Sequence, residues 1–248
     1  MKKMLQYLVL GVALTMVLPA QARSYTTESL SYDIVYQWGV IWKHAADATL
    51  SIHKSGSGYQ AQLTGKTRSW ADKVYPVRDT LRCTMNAQMR PLRYEKVTHE
   101  KSYYARDLVV FTNFYGSTSA KCTRYRKKGN TSLSLQANCP AYDMISVFYM
   151  LRNIDYGQWS KGKSYTTVVF SGKEKEYLTI TYQGRQQVKL RDGTRHQAYH
   201  LKLKFTMKGG KESSDPMDVW MSADGRCIPL MLVGKLPVGE VKCYYTGK

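Results

Sequence analysis

The pattern that most invites chemistry is Gly157-Gln158-Trp159-Ser160-Lys161-Gly162-Lys163-Ser164. It fits the phosphate-loop spacing G-x-x-x-x-G-K-S, in which backbone N–H groups at a helix start cradle phosphates and the lysine reaches them. That chemistry needs a helix behind the loop. Here Tyr165 to Phe170, YTTVVF, reads as a strand, so the match is expected to be fortuitous. His196 and His200 are four apart, a metal spacing on a helix. On a strand four residues span about 13 Å, too far for one ion. His44, His53 and His99 are isolated. Asp79, Asp143, Asp155, Asp218 and Asp224 offer material for the facing carboxylates of a glycoside hydrolase. Each also sits where a turn, a helix start or an ion pair would use it. No G-x-S-x-G, H-E-x-x-H or C-x-x-C occurs. No catalytic residue, metal site or cofactor is expected.

The elements that would position these residues are mostly strands. Ser29 to Trp38 alternates, with Leu30, Tyr32, Ile34 and Tyr36 on one side. Val40 to His53 continues as strand, with a helix over Ala45 to Leu50 as the alternative. Strands follow at 59–67, 77–89, 92–98, 103–115, 120–126 and 131–137, and 69–75 is short and helix-like. Pro140 to Ile154 changes period: Met144, Val147, Phe148 and Leu151 fall at helical spacing, and Asp143 suits a helix start. One short helix around residues 140–153 is therefore expected, its apolar side on the sheet. Strands resume at 164–170, 177–182, 186–190 and 197–207. The stretch from Asp215 to Lys248 gives three more, Val219 to Ser222, Cys227 to Lys235 and Glu240 to Tyr245, around turns at Asp224-Gly225 and Pro237-Val238-Gly239. The fold class is mainly β: one domain, residues 23–248, of antiparallel strands forming a curled sheet, half-barrel or sandwich.

Lys2 and Lys3, an apolar run over Leu8 to Leu18 and Ala20-Gln21-Ala22 form a secretory signal peptide, residues 1–22, with cleavage expected after Ala22. The run is too short to span a bilayer comfortably, and no later stretch is long enough. The expected product is periplasmic or extracellular, with no membrane span. The formal charge is +19, so removing Lys2 and Lys3 leaves +17. Such a field attracts anions. After export these are anionic lipid head groups and acidic polysaccharide rather than nucleic acid; the alternative is that scattered charge only keeps the chain soluble. Twenty Tyr and five Trp suit a packed sheet, or else a stacking platform for sugar or lipid. Five cysteines leave at least one unpaired within the chain; Cys227 and Cys243 flank the last turn, which leaves a disulfide between them open.

Several separated patches resemble the DUF3108 family of exported bacterial proteins. SYDIVYQWGVIWKHAADATLSI is similar to its first strand pair, although the family's glycine near His44 or Ala45 is missing. Trp70-Ala71-Asp72 with Val77-Arg78-Asp79, then Asp143, Ser146, Tyr149 and Arg152, match its next landmarks. Trp220, Ser222, Asp224, Pro229, Lys235 and Gly239 match its closing strands. The resemblance implies a mostly antiparallel β fold with a short helix and no accepted enzymatic activity. Among the landmarks, Trp70, Arg78, Asp79, Arg152 and Trp220 are the candidate ligand-binding residues, because Arg beside Asp and Trp can grip an anion or a sugar. Their alternative role is to brace the fold. The expected function is a non-enzymatic binding or carrier protein for an envelope lipid or glycan. A structural or assembly factor binding another envelope protein, or a glycan hydrolase, are the alternatives.

Overall fold

Alternating apolar and polar side chains run through nearly the whole chain, and the structure turns that period of two into strands. A computed structural model describes residues 23–207, 209–236 and 239–247; the expected signal peptide, and Pro237 and Val238 of the last turn, lie outside them. In chain order come β1 Thr27–Trp38, β2 Ile41–Ser55, β3 Gly58–Thr67, helix α1 Ser69–Asp72, β4 Arg78–Met85, β5 Pro91–Glu100, β6 Tyr103–Phe114, β7 Ser117–Tyr125 and β8 Thr131–Ala137. The two-residue β9 Ala141–Tyr142, helix α2 Ser146–Arg152 and a 3-10 turn Tyr156–Gln158 follow. The chain then runs through β10 Ser164–Phe170, β11 Lys175–Lys189, β12 Arg195–Thr206, β13 Met217–Ser222, β14 Pro229–Lys235 and β15 Glu240–Tyr245.

All fifteen strands form one sheet, in the order β8 to β1, then β15 to β9. Every pairing is antiparallel except β9 with β10. A single continuous sheet sets aside the sandwich alternative. The sheet rolls into a nearly closed barrel, and its two edges meet through side chains. Phe170 of β10 stacks on Phe111 of β6 at 5.9 Å, and the Ala141 N–H donates to Thr118 Oγ1 of β7 at 3.1 Å. The inward row Ile52, Ala61, Cys83, Tyr94, Val109 and Cys122 crosses six strands and is buried throughout. Each large apolar side chain so buried contributes about 1.5–3 kcal/mol.

The helix falls within the expected residues 140–153 but is shorter, Ser146–Arg152. Pro140 to Tyr142 is not its first turn, because Ala141 and Tyr142 pair with Val168 and Val169. Asp143 then stops the strand: its Oδ1 accepts the N–H groups of Ile145 and Ser146 at 2.7 and 3.0 Å. The helix has no single apolar side lying on a sheet. Ile145 at its start and Tyr149 pack with one half of the barrel, Val147 and Leu151 with the other, so α2 fills the lumen between them.

The register settles three other points. The segments 177–182 and 186–190 are one strand, β11, bent by a bulge at Gly184, where φ is +120°. The strand expected over Val40 to His53 forms as Ile41–Ser55, without the alternative helix over Ala45 to Leu50, and Ala45 is the extra residue of a bulge opposite Ile34 and Val35. That position needs no positive φ, which is why alanine serves where the family carries glycine. The cysteine pair left open by the sequence does not form. Across the last hairpin Cys243 faces Leu232, while Cys227 lies before β14 begins. All five thiols are free.

Candidate functional site

The five residues expected to grip a ligand do not converge. Arg152, at the end of α2, is 1% exposed. Its guanidinium donates to Glu28 at 2.5 and 3.0 Å and to the Arg226 carbonyl at 3.2 Å, with the rings of Tyr25 and Tyr149 at 5.0 and 5.7 Å. Burial works against its charge, and the Glu28 carboxylate more than restores it. It ties α2 to β1 inside the barrel.

Arg78 and Trp70 both lie at the α1 corner, on separate partners. Arg78 holds both carboxylate oxygens of Asp72 at 2.7 and 2.9 Å. The Trp70 indole N–H donates to the His44 carbonyl at 2.7 Å. Hydrogen bonds from Arg78, then from Thr67, pull the Asp72 carboxyl down to about 2. Asp79 points to the other side of β4 and accepts the His99 N–H at 2.9 Å. Trp220 is far away. Trp220, Met231, Tyr244, Asp33, Asp47, Lys66 and Arg78 are successive partners across seven strands, so six strand spacings, roughly 29 Å of sheet, separate Trp220 from Arg78. The His200 ring stacks on Trp220 at 4.5 Å and bonds Asp218 at 2.7 Å.

The residues that do converge lie on the outer face of β2 to β5, opposite the buried row. Ser51, Gln62, Arg82 and Glu95 pair in one line, and His53, Gln60, Thr84 and Arg93 in the next. They line a groove of about 340 Å³. Glu95 is its one acid, and it is engaged by Arg106 at 2.6 Å and by Arg82 at 3.4 Å. The Arg93 guanidinium and the His53 ring have no hydrogen-bond or ionic partner among the described residues. Two arginines and several amide and hydroxyl groups thus present donors to one open groove.

The family model "Protein of unknown function (DUF3108)" matches residues 31–246. The chain belongs to the DUF3108 family. No curated protein matches this DUF3108 chain. Among solved structures it is similar to a β-barrel-like protein of the domain of unknown function DUF1849 from Brucella abortus. The identity is 12%, the TM-score is 0.61, and the match covers 89% of this chain and 96% of the other. At that identity the likeness shows the fold alone.

The enzymatic patterns in this DUF3108 member fare poorly. Its phosphate-loop match runs from the 3-10 turn straight into β10, with no helix behind it. Two of the suspect carboxylates, Asp155 and Asp224, do line a second cleft, of about 320 Å³, with Tyr156 and Tyr199. Asp155 accepts the Gly157 N–H at 3.1 Å. Burial pushes the Asp224 carboxyl up, but the Ser222 hydroxyl and the N–H groups of Arg226 and Cys227 outweigh it and hold it below its ordinary value. A glycosidase needs one carboxyl raised to act as acid, and Asp224 is shifted the wrong way. Asp143 is raised by burial, but it is fully enclosed and cannot meet a substrate.

Sequence reasoning missed the groove and a polar cluster beside the Ala45 bulge. There His44 lies 2.8 Å from Asp47 and 3.4 Å from Asp33. Arg191, from the β11–β12 turn, pairs with Asp33 and bonds His44 at 3.0 Å. Arg68 takes both oxygens of Asp47. The ligand atoms of Asp33, His44 and Asp47 lie within 4.8 Å of one another, and the two arginines pair with both carboxylates.

Proposed function

We propose that this protein is an exported, non-enzymatic binding protein that holds the anionic part of an envelope glycan or lipid against the outside of its barrel. The carrying observation is the Arg82–Arg93 groove, whose single carboxylate is already occupied. A carrier that swallows an acyl chain is disfavoured, because α2 and its aromatic neighbours fill the lumen. Guanidinium groups bind carboxylate, sulfate and phosphate in a bidentate way that lysine does not. The test is calorimetric titration with a uronate-rich oligosaccharide and its neutral analogue at fixed salt. The expected result is binding of the acidic sugar alone, weakened at least about tenfold by Arg82→Ala/Arg93→Ala with an unchanged melting temperature. Equal affinity for the neutral analogue, or no loss in the double variant, overturns the reading.

One observation favours a second reading, as an assembly factor. β8, TSLSLQA, has one partner strand, no charge, no proline and no bulge in its pairing with β7. Such an edge can take a strand from another protein where Lys175 of β11, which donates to the Gln136 carbonyl at 3.1 Å, gives way. Amide exchange at β8 that slows when envelope extract is added supports this role, and unchanged exchange removes it.

A further inference from the structure

The turns at one end of the barrel carry an exposed apolar surface unlike the rest of the molecule. Strand direction places the β1–β2, β3–β4, β5–β6 and β14–β15 connections at that same end. Of the fourteen exposed large apolar residues among those described, nine lie there. Gly39, with φ +57°, makes the tight β1–β2 turn and pushes its neighbours outward. Val40 at the apex is 95% exposed, and Trp38, Ile41 and Trp42 beside it are 60%, 55% and 47% exposed. The surface is continuous along the rim. Lys242 stands 4.0 Å over Trp42, Lys43 stands 4.0 Å over Trp70, and Lys101 stands 4.8 Å over Tyr75, next to the exposed Tyr103 and Tyr104.

We infer that this rim docks on an anionic bilayer. Three observations choose lipid over a protein partner. The apolar residues sit on protruding turns, not in a groove, which suits insertion between head groups. They are Trp and Tyr mixed with short aliphatics, the types that settle at a membrane interface. Three of its aromatic rings, Trp42, Trp70 and Tyr75, are overlaid by a lysine, and lysine beside a hydrophobic tip complements anionic lipid. The rim is separate from the Arg82–Arg93 groove and does not depend on it.

The test uses the processed chain, its N-terminus confirmed at Arg23, so that no leader contributes. The probes are phosphatidylcholine vesicles with and without phosphatidylglycerol, and heparin as a soluble polyanion. Cosedimentation with the anionic vesicles, a blue shift in tryptophan emission and weakening by salt are expected. Trp38→Ser/Trp42→Ser should lower partitioning at least about tenfold, and Lys43→Gln or Lys242→Gln about fivefold each, with heparin binding unchanged by the tryptophan change. Trp38, Trp42 and Lys43 are exposed, and Lys242 is partly buried with one ion pair, to Glu240 at 2.9 Å, so the variants should fold. Vesicle binding that survives the tryptophan change overturns the inference, leaving only charge. Binding of heparin without binding of vesicles also overturns it, while leaving the groove reading intact. A dimer that the tryptophan variant dissolves overturns it as well, because a second copy then covers the rim.

Discussion

Replacing Arg152 with alanine should lower the melting temperature by roughly 10 °C and should not yield a folded protein with a binding defect. The side chain is 1% exposed and tied by two bonds to Glu28. Truncating one member of a buried pair strands the other, at about 3–5 kcal/mol, and in a domain of this size each kcal/mol moves the midpoint by about 2–4 °C. Arg226, at 3.8 Å, can answer only part of the Glu28 charge. The reciprocal change, Glu28→Ala, strands the guanidinium and should cost at least as much. Arg152→Met with Glu28→Met should cost less than the two single losses added together, because neither charge is then left alone. Thermal melts of the four proteins check this. An Arg152→Ala protein that melts normally and has lost its ligand would return Arg152 to the binding residues.

Asp143→Ala should be the second severe lesion. Its carboxylate is fully buried and accepts four donors: the N–H groups of Ile145 and Ser146, the Ser146 hydroxyl at 2.8 Å and the Cys83 thiol at 2.9 Å. Removing it leaves the two buried N–H groups without an acceptor and the hydroxyl and thiol with only long contacts, to the Asp143 carbonyl at 3.5 Å and the Thr84 carbonyl at 3.7 Å, so a loss of more than about 3 kcal/mol is expected. Asp143→Asn keeps one oxygen for the two N–H groups and should lose less than half as much. Urea titrations at unchanged m-value measure both. Equal losses for alanine and asparagine would mean that the charge, not the hydrogen bonding, holds α2 in place.

Strand identity was legible because period-two alternation survives at almost every turn of this chain. Thr131 to Ala137, Ser164 to Phe170 and Glu240 to Tyr245 have the bounds the pattern predicts. The α2 boundary was not, because Pro140 and Met144 extend a helical spacing that the β9–β10 pairing and the Asp143 cap cut short. The binding surfaces fail for a different reason. Arg82 and Thr84 alternate outward in the sequence, but only the partnering of β3, β4 and β5 sets them beside Gln62 and Arg93. Trp70 and Trp220 share composition with a binding site and nothing else, since half the barrel wall separates them. The rim was partly readable: Trp38-Gly39-Val40-Ile41-Trp42 is apolar through a turn, where a soluble hairpin would be polar.

The strand order has a consequence for how the chain assembles. β1 and β15 are neighbours in the middle of the sheet, and the two free edges come from the middle of the chain. The Thr246 hydroxyl donates to the Ser31 carbonyl across 215 residues of sequence. The other antiparallel pairings join strands adjacent in the chain. The molecule is therefore two meanders of low contact order, β1 to β8 and β10 to β15, a parallel β9 at the far edge, and one long-range seam. Loop-closure entropy is concentrated in that seam. Until the last strand arrives, the β1 edge stands open, so a chain emerging N-terminus first carries an unpaired strand edge for as long as its synthesis takes.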